Sequence, residues 1–235
     1  MKPVVRVIDL GRLAYLPALE LQRRLVRARI DGEVTDDLLL LVEHDPVVTL
    51  GRGTKQSSLP MSEAVLRARG YEVVEVERGG DVTVHAPGQL VVYPILDLQQ
   101  HRADLHWYLR QLEETIIRGL DTLGIESERN PGRTGVWVGN RKIASIGVHV
   151  KRWVTLHGVA LNVTTDLSVF NVVVPCGIDG VVMTSVEREL KDGRANGPAG
   201  SPLWEITRDR VLEGFTGAFE CELQPGSLPE LIGVV

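Results

Sequence analysis

The sequence predicts a single domain of the α+β class, in which helices flank a mixed β-sheet. Segments rich in β-branched residues and leucine come in runs, and helical patterns interrupt them at intervals instead of following every strand. The 235 residues are enough for one large domain, and 43% hydrophobic with 24% charged residues is typical of a soluble globular protein. We expect residues 1–235 to form this domain, with 224–235 as a C-terminal tail.

Strands and helices mix irregularly in the first half of the chain. Residues 1–10 fit a first strand better than a signal peptide, because charges interrupt the apolar run and no small-residue cleavage site follows. A helix is predicted to begin near Pro17, since leucine and alanine recur at helical spacing until Asp31 and Gly32 stop the pattern. The elements predicted next are the strands Asp37–Glu43 and Val47–Leu50, a helix over 62–69 and a strand over 71–76.

The second half begins with the clearest helical pattern. It runs from Asp104, a good N-cap, to Gly124, and six leucine and isoleucine residues mark one apolar face. Thr184 opens a capping box for a short helix that Gly193 would end, and a last helix is predicted over 205–215. Strands are predicted over residues 134–138, 142–150 and 154–163.

Composition argues against several classes of function. The two cysteines, Cys176 and Cys221, form no C-x-x-C pair, and the six histidines form no H-E-x-x-H motif, so we expect no disulfide framework and no metal site. Cys221 is assigned to a late edge strand without chemistry. The net charge of −5 disfavours a nucleic-acid binder. No window supplies the roughly 18 apolar residues of a membrane span, so a cytoplasmic protein is expected.

Cys176 is the candidate nucleophile. It lies in the hexapeptide 173–178, where β-branched residues and Pro175 precede the thiol and Gly177 follows it. A thiol where a strand gives way to a Pro/Gly turn is open to a ligand together with the neighbouring backbone N–H groups. A free cysteine is also often a small buried hydrophobe. The hexapeptide alone leaves both interpretations open.

Residues 78–94 form the most irregular stretch. Two glycine clusters bracket a short alternating strand, and glycine pairs of this kind let a backbone approach a ligand closely. Arg78 and His85 would stand at the two ends of that approach. A plain hairpin with a Pro-Gly turn is the alternative.

Lys142 opens an otherwise apolar strand. It is either a functional cation or the solvated end of that strand. The small residues Gly147, Gly158 and Ala160 on the following strands leave room for a narrow apolar slot, or for close packing of a helix on the sheet.

Four motifs in this order resemble those of the lipoyl(octanoyl) transferases. They are the R-G-G-x-x-T-x-H-x-P-G-Q stretch from Arg78, the K-I-A-S-I-G stretch from Lys142, H-G-x-A-L-N from His157, and P-C-G-I around Cys176. The resemblance implies the fold of the biotin and lipoate protein ligase catalytic domain. It also implies transfer of an octanoyl group from octanoyl-acyl carrier protein to a lysine of lipoyl domains in 2-oxoacid dehydrogenase E2 subunits or of glycine-cleavage H protein, without ATP or another cofactor.

The same resemblance implies roles for individual residues. Cys176 is the acyl-accepting nucleophile and Lys142 activates it. The implied acyl-substrate residues are Arg78, Gly79, Gly80, Asp81, Val82, Thr83, Val84, His85, Ser145, Ile146, Gly147, Gly158, Val159 and Ala160. Two positions depart from the family pattern, Val84 where an aromatic residue is frequent and Ala86 where glycine is usual.

The implied protein partners are acidic in their families, whereas this chain is itself net negative. Attraction between them therefore has to be local. We expect a basic rim near the motifs, formed by Arg52, Lys55, Arg129, Arg133, Arg141, Lys151 and Arg152.

Three other functions remain open from the residues themselves. An ATP-dependent lipoate or biotin ligase would share the fold, and the sequence from Gly51 to Lys55 faintly resembles a nucleotide loop. A thiol hydrolase would use Cys176 with His85 or His157. A non-enzymatic module that binds acylated carrier protein would need no reactive cysteine.

Overall fold

The computed structural model describes residues 2–174, 180–190 and 202–228. The helices are α1 (Tyr15–Asp31), α2 (Glu63–Ala68), α3 (Leu105–Asp121), α4 (Val186–Glu189) and α5 (Pro202–Phe219). The strands are β1 (Val4–Arg12), β2 (Asp37–Glu43), β3 (Val47–Leu50), β4 (Glu72–Glu75), β5 (Val82–His85), β6 (Gln89–Ile95), β7 (Glu128–Asn130), β8 (Arg133–Val138), β9 (Arg141–Lys151), β10 (Val154–Asn162), β11 (Val182–Met183) and β12 (Glu222–Pro225).

Most of these strands form one large sheet. Its order is β12-β1-β2-β6-β10-β9-β8-β7, and β11 joins it by pairing with β9. Strand β1 is parallel to β12 and β2, and β11 is parallel to β9. All neighbouring strands in the part β2-β6-β10-β9-β8-β7 of this order are antiparallel. The predicted mixed sheet is confirmed.

Helices cover both faces of the large sheet. On β2, Leu39 and Leu41 pack into the core that includes α3 and α5, while Leu38 and Leu40 pack into the core that includes α1. A strand buried on both faces is apolar at every position, which explains the unbroken leucine run of β2. None of the helices in the described ranges combines the length and apolar composition that crossing a membrane requires.

A small sheet with the order β4-β3-β5 lies beside the large one. Val48 and Val84 fill its core together with Leu66 of α2. Its strands flank the loop 76–81, and this loop reaches the large sheet where the Gly79 N–H donates to the Val148 carbonyl at 2.9 Å. The small sheet therefore carries the first motif to the strands that carry the second and third.

The central strand β6 is the main element that the sequence analysis missed. It is buried throughout, yet it contains Pro94, which removes a ladder hydrogen bond and is unusual in a central strand. The Thr155 hydroxyl of β10 satisfies two backbone groups next to this position, because it donates to the Pro94 carbonyl at 2.7 Å and accepts from the Leu96 N–H at 2.9 Å. The short strands β7 and β11 were also missed.

Two predicted boundaries change at the C-terminal end. Gln224 and Pro225 were expected to begin a tail, but they are the end of β12 and pair with Arg6 and Val7. Backbone pairing with β1 extends the domain to this point. The short helix predicted from the capping box ends earlier than expected, since the last residue of α4 is Glu189. Gly193 lies outside the described residues.

Candidate active site

A cavity of about 340 Å³ lies where the loop 78–81 meets β9 and β10. The N-terminal half of α3 contributes Leu105 and Leu109 to its wall, and the turn before β8 contributes Gly132. Because most of the lining is apolar, the cavity suits an alkyl chain.

The structure brings the predicted pocket residues together from three distant parts of the chain. Those that line the cavity are Arg78, Gly79, Gly80, Asp81, Val82, Thr83, His85, Ser145, Ile146, Gly147, Gly158, Val159 and Ala160, and Lys142 lines it as well. Val84 does not. Its fully buried side chain packs in the core of the small sheet, on the face of β5 opposite to Thr83 and His85.

Arg78 is held by the backbone around it. Its guanidinium donates to the Thr49 carbonyl at 2.7 Å, to the Thr49 hydroxyl at 2.9 Å and to the Asp81 carbonyl at 2.6 Å. The side chain is only 7% exposed. A planar fork of donors bound in this way fixes the loop 78–81 in one conformation.

The G-R-G sequence at 51–53 supports the same loop. A Cβ at Gly51 would lie 2.4 Å from the Gly80 carbonyl oxygen, and the Gly53 N–H donates to that oxygen at 2.9 Å. The close approach of the two backbones therefore requires a glycine at position 51. This packing explains the feature that resembled a nucleotide loop.

Different neighbours require the small residues on β9 and β10. A Cβ at Gly147 would lie 3.0 Å from Arg78 Cδ, so Gly147 makes room for the arginine stem. A Cβ at Gly158 would lie 2.1 Å from the Val92 carbonyl oxygen, so Gly158 makes room for the backbone of β6. The preceding His157 has a φ of 62°, which marks a kink in β10 at this approach.

Lys142 is a buried cation at the start of β9. The side chain is 2% exposed, so the alternative of a solvated strand end is wrong. Nζ donates to the Thr134 carbonyl at 3.0 Å and lies 5.5 Å from the centre of the Trp137 ring. A carbonyl oxygen and a ring face therefore hold the Lys142 amine at the wall of the cavity.

Two histidines beside the cavity are neutral. The Nδ1–H of His44 donates to the Leu13 carbonyl at 2.7 Å, Nε2 accepts from the Tyr93 hydroxyl at 2.8 Å, and burial lowers the pKa of His44 to about 4. The Nδ1–H of His85 donates to Gln89 Oε1 at 2.7 Å, and burial lowers the pKa of His85 to about 3. These side chains supply hydrogen-bonding groups rather than positive charge.

Comparison with known proteins decides the family. Residues 14–218 match the model of the lipoyl protein ligase A/B catalytic domain. The curated octanoyltransferase of a Nostoc species is 52% identical over 213 residues, which are 91% of this chain and 91% of that protein. The octanoyltransferase of Gloeobacter violaceus is 49% identical over 228 residues, which cover 97% of this chain and 96% of that protein. The chain belongs to the octanoyltransferase family.

Membership of the octanoyltransferase family makes the chain an acyltransferase and confirms the resemblance drawn from the four motifs. The fold is similar to that of lipoate-protein ligase A bound with ATP, with a TM-score of 0.71 at 15% identity over 97% of this chain and 90% of the ligase. At that identity the likeness shows the fold alone.

Cys176 and its neighbours Pro175 and Gly177 lie outside the described residues. Strand β11 begins six residues after Cys176, and its Met183 pairs with Lys142. The other cysteine, Cys221, is 1% exposed, and burial raises the pKa of its thiol to about 11. A thiol in that state is a poor nucleophile at neutral pH.

Two members of the expected basic rim form ion pairs within the chain. Arg129 pairs with Glu113 and Glu114, and Arg141 pairs with Glu189, so both charges are already balanced. The remaining members are exposed and form no ion pair with the residues that the structure describes: Arg52, Lys55, Arg133, Lys151 and Arg152.

Sequence reasoning missed several residues that shape this octanoyltransferase site. Tyr15 and Tyr93 line the cavity, although neither belongs to one of the four motifs. Gly135 leaves the space that the Lys142 side chain occupies, and Glu113 binds the Gly135 N–H. A T-G pair at the beginning of a strand and an acidic residue in an amphipathic helix carry no local signal of these contacts.

Proposed function

We propose that the chain transfers an octanoyl group from octanoyl-acyl carrier protein, through a thioester on Cys176, to a lysine of lipoyl domains or of glycine-cleavage H protein. The observation that supports this most is Lys142, a buried amine in the wall of a cavity that also contains the pocket residues implied by the family motifs. The cavity volume of about 340 Å³ suits a small ligand.

The first half-reaction forms the acyl-enzyme. A free thiol is mostly protonated at pH 7, and a nearby ammonium favours the thiolate that attacks. The Cys176 thiolate attacks the carbonyl carbon of the donor thioester, and the bond from that carbon to the pantetheine sulfur breaks. The Lys142 ammonium gives its proton to the departing sulfur. An octanoyl-cysteine and a neutral Lys142 amine remain.

The second half-reaction restores the Cys176 thiolate and the Lys142 ammonium. The incoming lysine attacks the octanoyl-cysteine as a neutral amine, and the bond to the Cys176 sulfur breaks. The Lys142 amine takes the proton that the new amide nitrogen releases, so the enzyme returns to thiolate and ammonium. The products are an amide and a free carrier thiol, and no step requires ATP.

The decisive experiment is incubation with octanoyl-acyl carrier protein in the absence of ATP. Intact mass spectrometry is expected to show one octanoyl group on the protein, which disappears when a lipoyl domain is added and reappears on that domain. The Cys176→Ala variant should form no adduct, while Cys221→Ala is the matched control and should behave as wild type. An adduct on Cys176→Ala would refute the assigned nucleophile.

The same experiment separates the other functions. A requirement for ATP would indicate a ligase, and tight carrier binding without an adduct would indicate a binding module. Release of free octanoate without a lipoyl domain would indicate a hydrolase, although the lowered pKa of His85 makes its imidazole a weak base. The cytoplasmic location expected from the sequence belongs to the same proposal, and cell fractionation tests it.

A further inference from the structure

The buried side chain of Lys142 needs space that Gly135 provides. A Cβ at Gly135 would lie 2.6 Å from Lys142 Cε and 3.1 Å from Nζ. Gly135 also has a φ of 129°, which L side chains rarely adopt. The lysine and the glycine on the neighbouring strand are therefore matched to each other in shape.

The ladder between β8 and β9 is irregular beside this glycine. Val136 pairs with Ala144, but the next residue, Trp137, pairs with Lys142, so the register shifts. A shift of this kind is a β-bulge, which re-aims side chains next to functional sites. Here the Gly135 N–H donates to Glu113 Oε1 of α3 at 3.1 Å.

One peptide group connects Glu113 to Lys142. The N–H of this group belongs to Gly135 and points to the Glu113 carboxylate at 3.1 Å. Its carbonyl belongs to Thr134 and accepts from Lys142 Nζ at 3.0 Å. A trans peptide directs its N–H and C=O to opposite sides. The Thr134–Gly135 peptide group therefore lies between the carboxylate and the ammonium.

Glu113 is an unusual residue for the middle of α3. Its side chain is 1% exposed, and burying a carboxylate is unfavourable unless partners compensate for the lost water. Arg110 Nη1 at 2.5 Å and Arg129 Nε at 3.2 Å supply that compensation. The carboxylate thus joins α3 to β7 and to the strand that supports Lys142.

We propose that Glu113 is a positioning residue for Lys142 and acts through the Thr134–Gly135 peptide group. The carboxylate fixes the peptide plane so that the Thr134 carbonyl is directed at Nζ. Its negative charge also polarises the peptide group, because hydrogen bonds in a chain strengthen one another, and this favours the ammonium form. The inference rests on the proposed function, in which Lys142 must hold a proton until the donor sulfur departs.

The test compares Glu113→Gln and Glu113→Ala with Glu114→Gln. Glu114 is the matched control, because it also pairs with Arg129, at 2.6 Å, and is not bonded to Gly135. Single-turnover octanoyl transfer to Cys176 should slow about tenfold in Glu113→Gln and about a hundredfold in Glu113→Ala, as expected for weakening and then losing a bond to a charged group. Glu114→Gln should stay within about twofold of wild type. The KM for octanoyl-acyl carrier protein should not change.

The pH profile distinguishes positioning from general destabilisation. If the carboxylate supports the Lys142 ammonium, the alkaline fall in rate should begin at a lower pH in Glu113→Gln than in Glu114→Gln. Rates and a pH profile equal to those of Glu114→Gln would overturn the inference. A slower rate with an unchanged pH profile and a lowered Tm would assign Glu113 to the fold alone, which also overturns it. If Glu113→Ala fails to fold, the isosteric Glu113→Gln decides. Failure of wild type to form the adduct would count against the proposed function instead.

Discussion

Arg78 and Lys142 are two buried cations on the wall of one cavity, yet their surroundings differ. Arg78 spreads its donors over Thr49 and the carbonyls of its own loop, and so ties together the small sheet and the first motif. Lys142 presents a compact ammonium to the Thr134 carbonyl in a space left by Gly135. A guanidinium keeps its proton in a protein, whereas an amine can give it up. The contacts of Arg78 are those of a residue that holds the loop in place, and the proposed proton transfer belongs to Lys142.

The largest expected effect tests the Lys142 end. Lys142→Met keeps a long apolar stem but removes the proton donor, so octanoyl transfer should fall about a thousandfold, the size of a general acid–base contribution. Mass spectrometry of adduct formation and of lipoyl-domain modification measures it. The Thr134 carbonyl loses the Nζ donor in this variant, so the free energy of unfolding should fall by about 1 kcal/mol, measured by urea denaturation. Activity within tenfold of wild type would show that Lys142 is not the proton donor, and its role would then not differ from that of Arg78.

The next effect tests the Arg78 end. Arg78→Met removes the donor from the buried Thr49 carbonyl and from the partly buried Asp81 carbonyl, and we expect a loss of about 3 kcal/mol in the free energy of unfolding. Urea denaturation followed by circular dichroism measures this loss. Arg52→Met is the control, since Arg52 is exposed, and it should cost less than about 0.5 kcal/mol. A stable Arg78→Met protein that cannot form the adduct would instead give Arg78 a chemical role.

The smallest expected effect tests whether the buried His44 is uncharged in the folded protein. Burial lowers the pKa of His44 from 6.5 to about 4, so the unfolded chain binds more protons than the folded protein between those values. Stability is therefore full above pH 6.5 and falls as the pH drops towards 4. Between pH 6.5 and 5.5 this histidine should contribute a loss of about 1 kcal/mol.

His44→Gln retains a donor and an acceptor without the titration, so its urea midpoint should depend less on pH in that interval. His106→Gln is the matched control, because His106 is exposed on α3. Equal pH slopes in the two variants would show that His44 does not carry the effect.

The sequence by itself determined the mixed sheet, its main helices and the four motifs that indicate an octanoyltransferase. These features depend on local periodicity, capping residues and short stretches of chemistry, which a linear pattern records. Asp104 illustrates this, since its carboxylate accepts from the Trp107 N–H at 3.0 Å as its position before an apolar helix predicts.

Only the tertiary structure decided which residues hold these motifs in place. The proline-bearing strand β6, the exclusion of Val84 from the cavity and the link from Glu113 through Gly135 to Lys142 all depend on contacts between segments far apart in the chain. The sequence does not distinguish a glycine that a neighbouring backbone requires from a glycine in an exposed turn. The physical reason is that space and hydrogen-bond partners are properties of the packed chain, so no local pattern contains them.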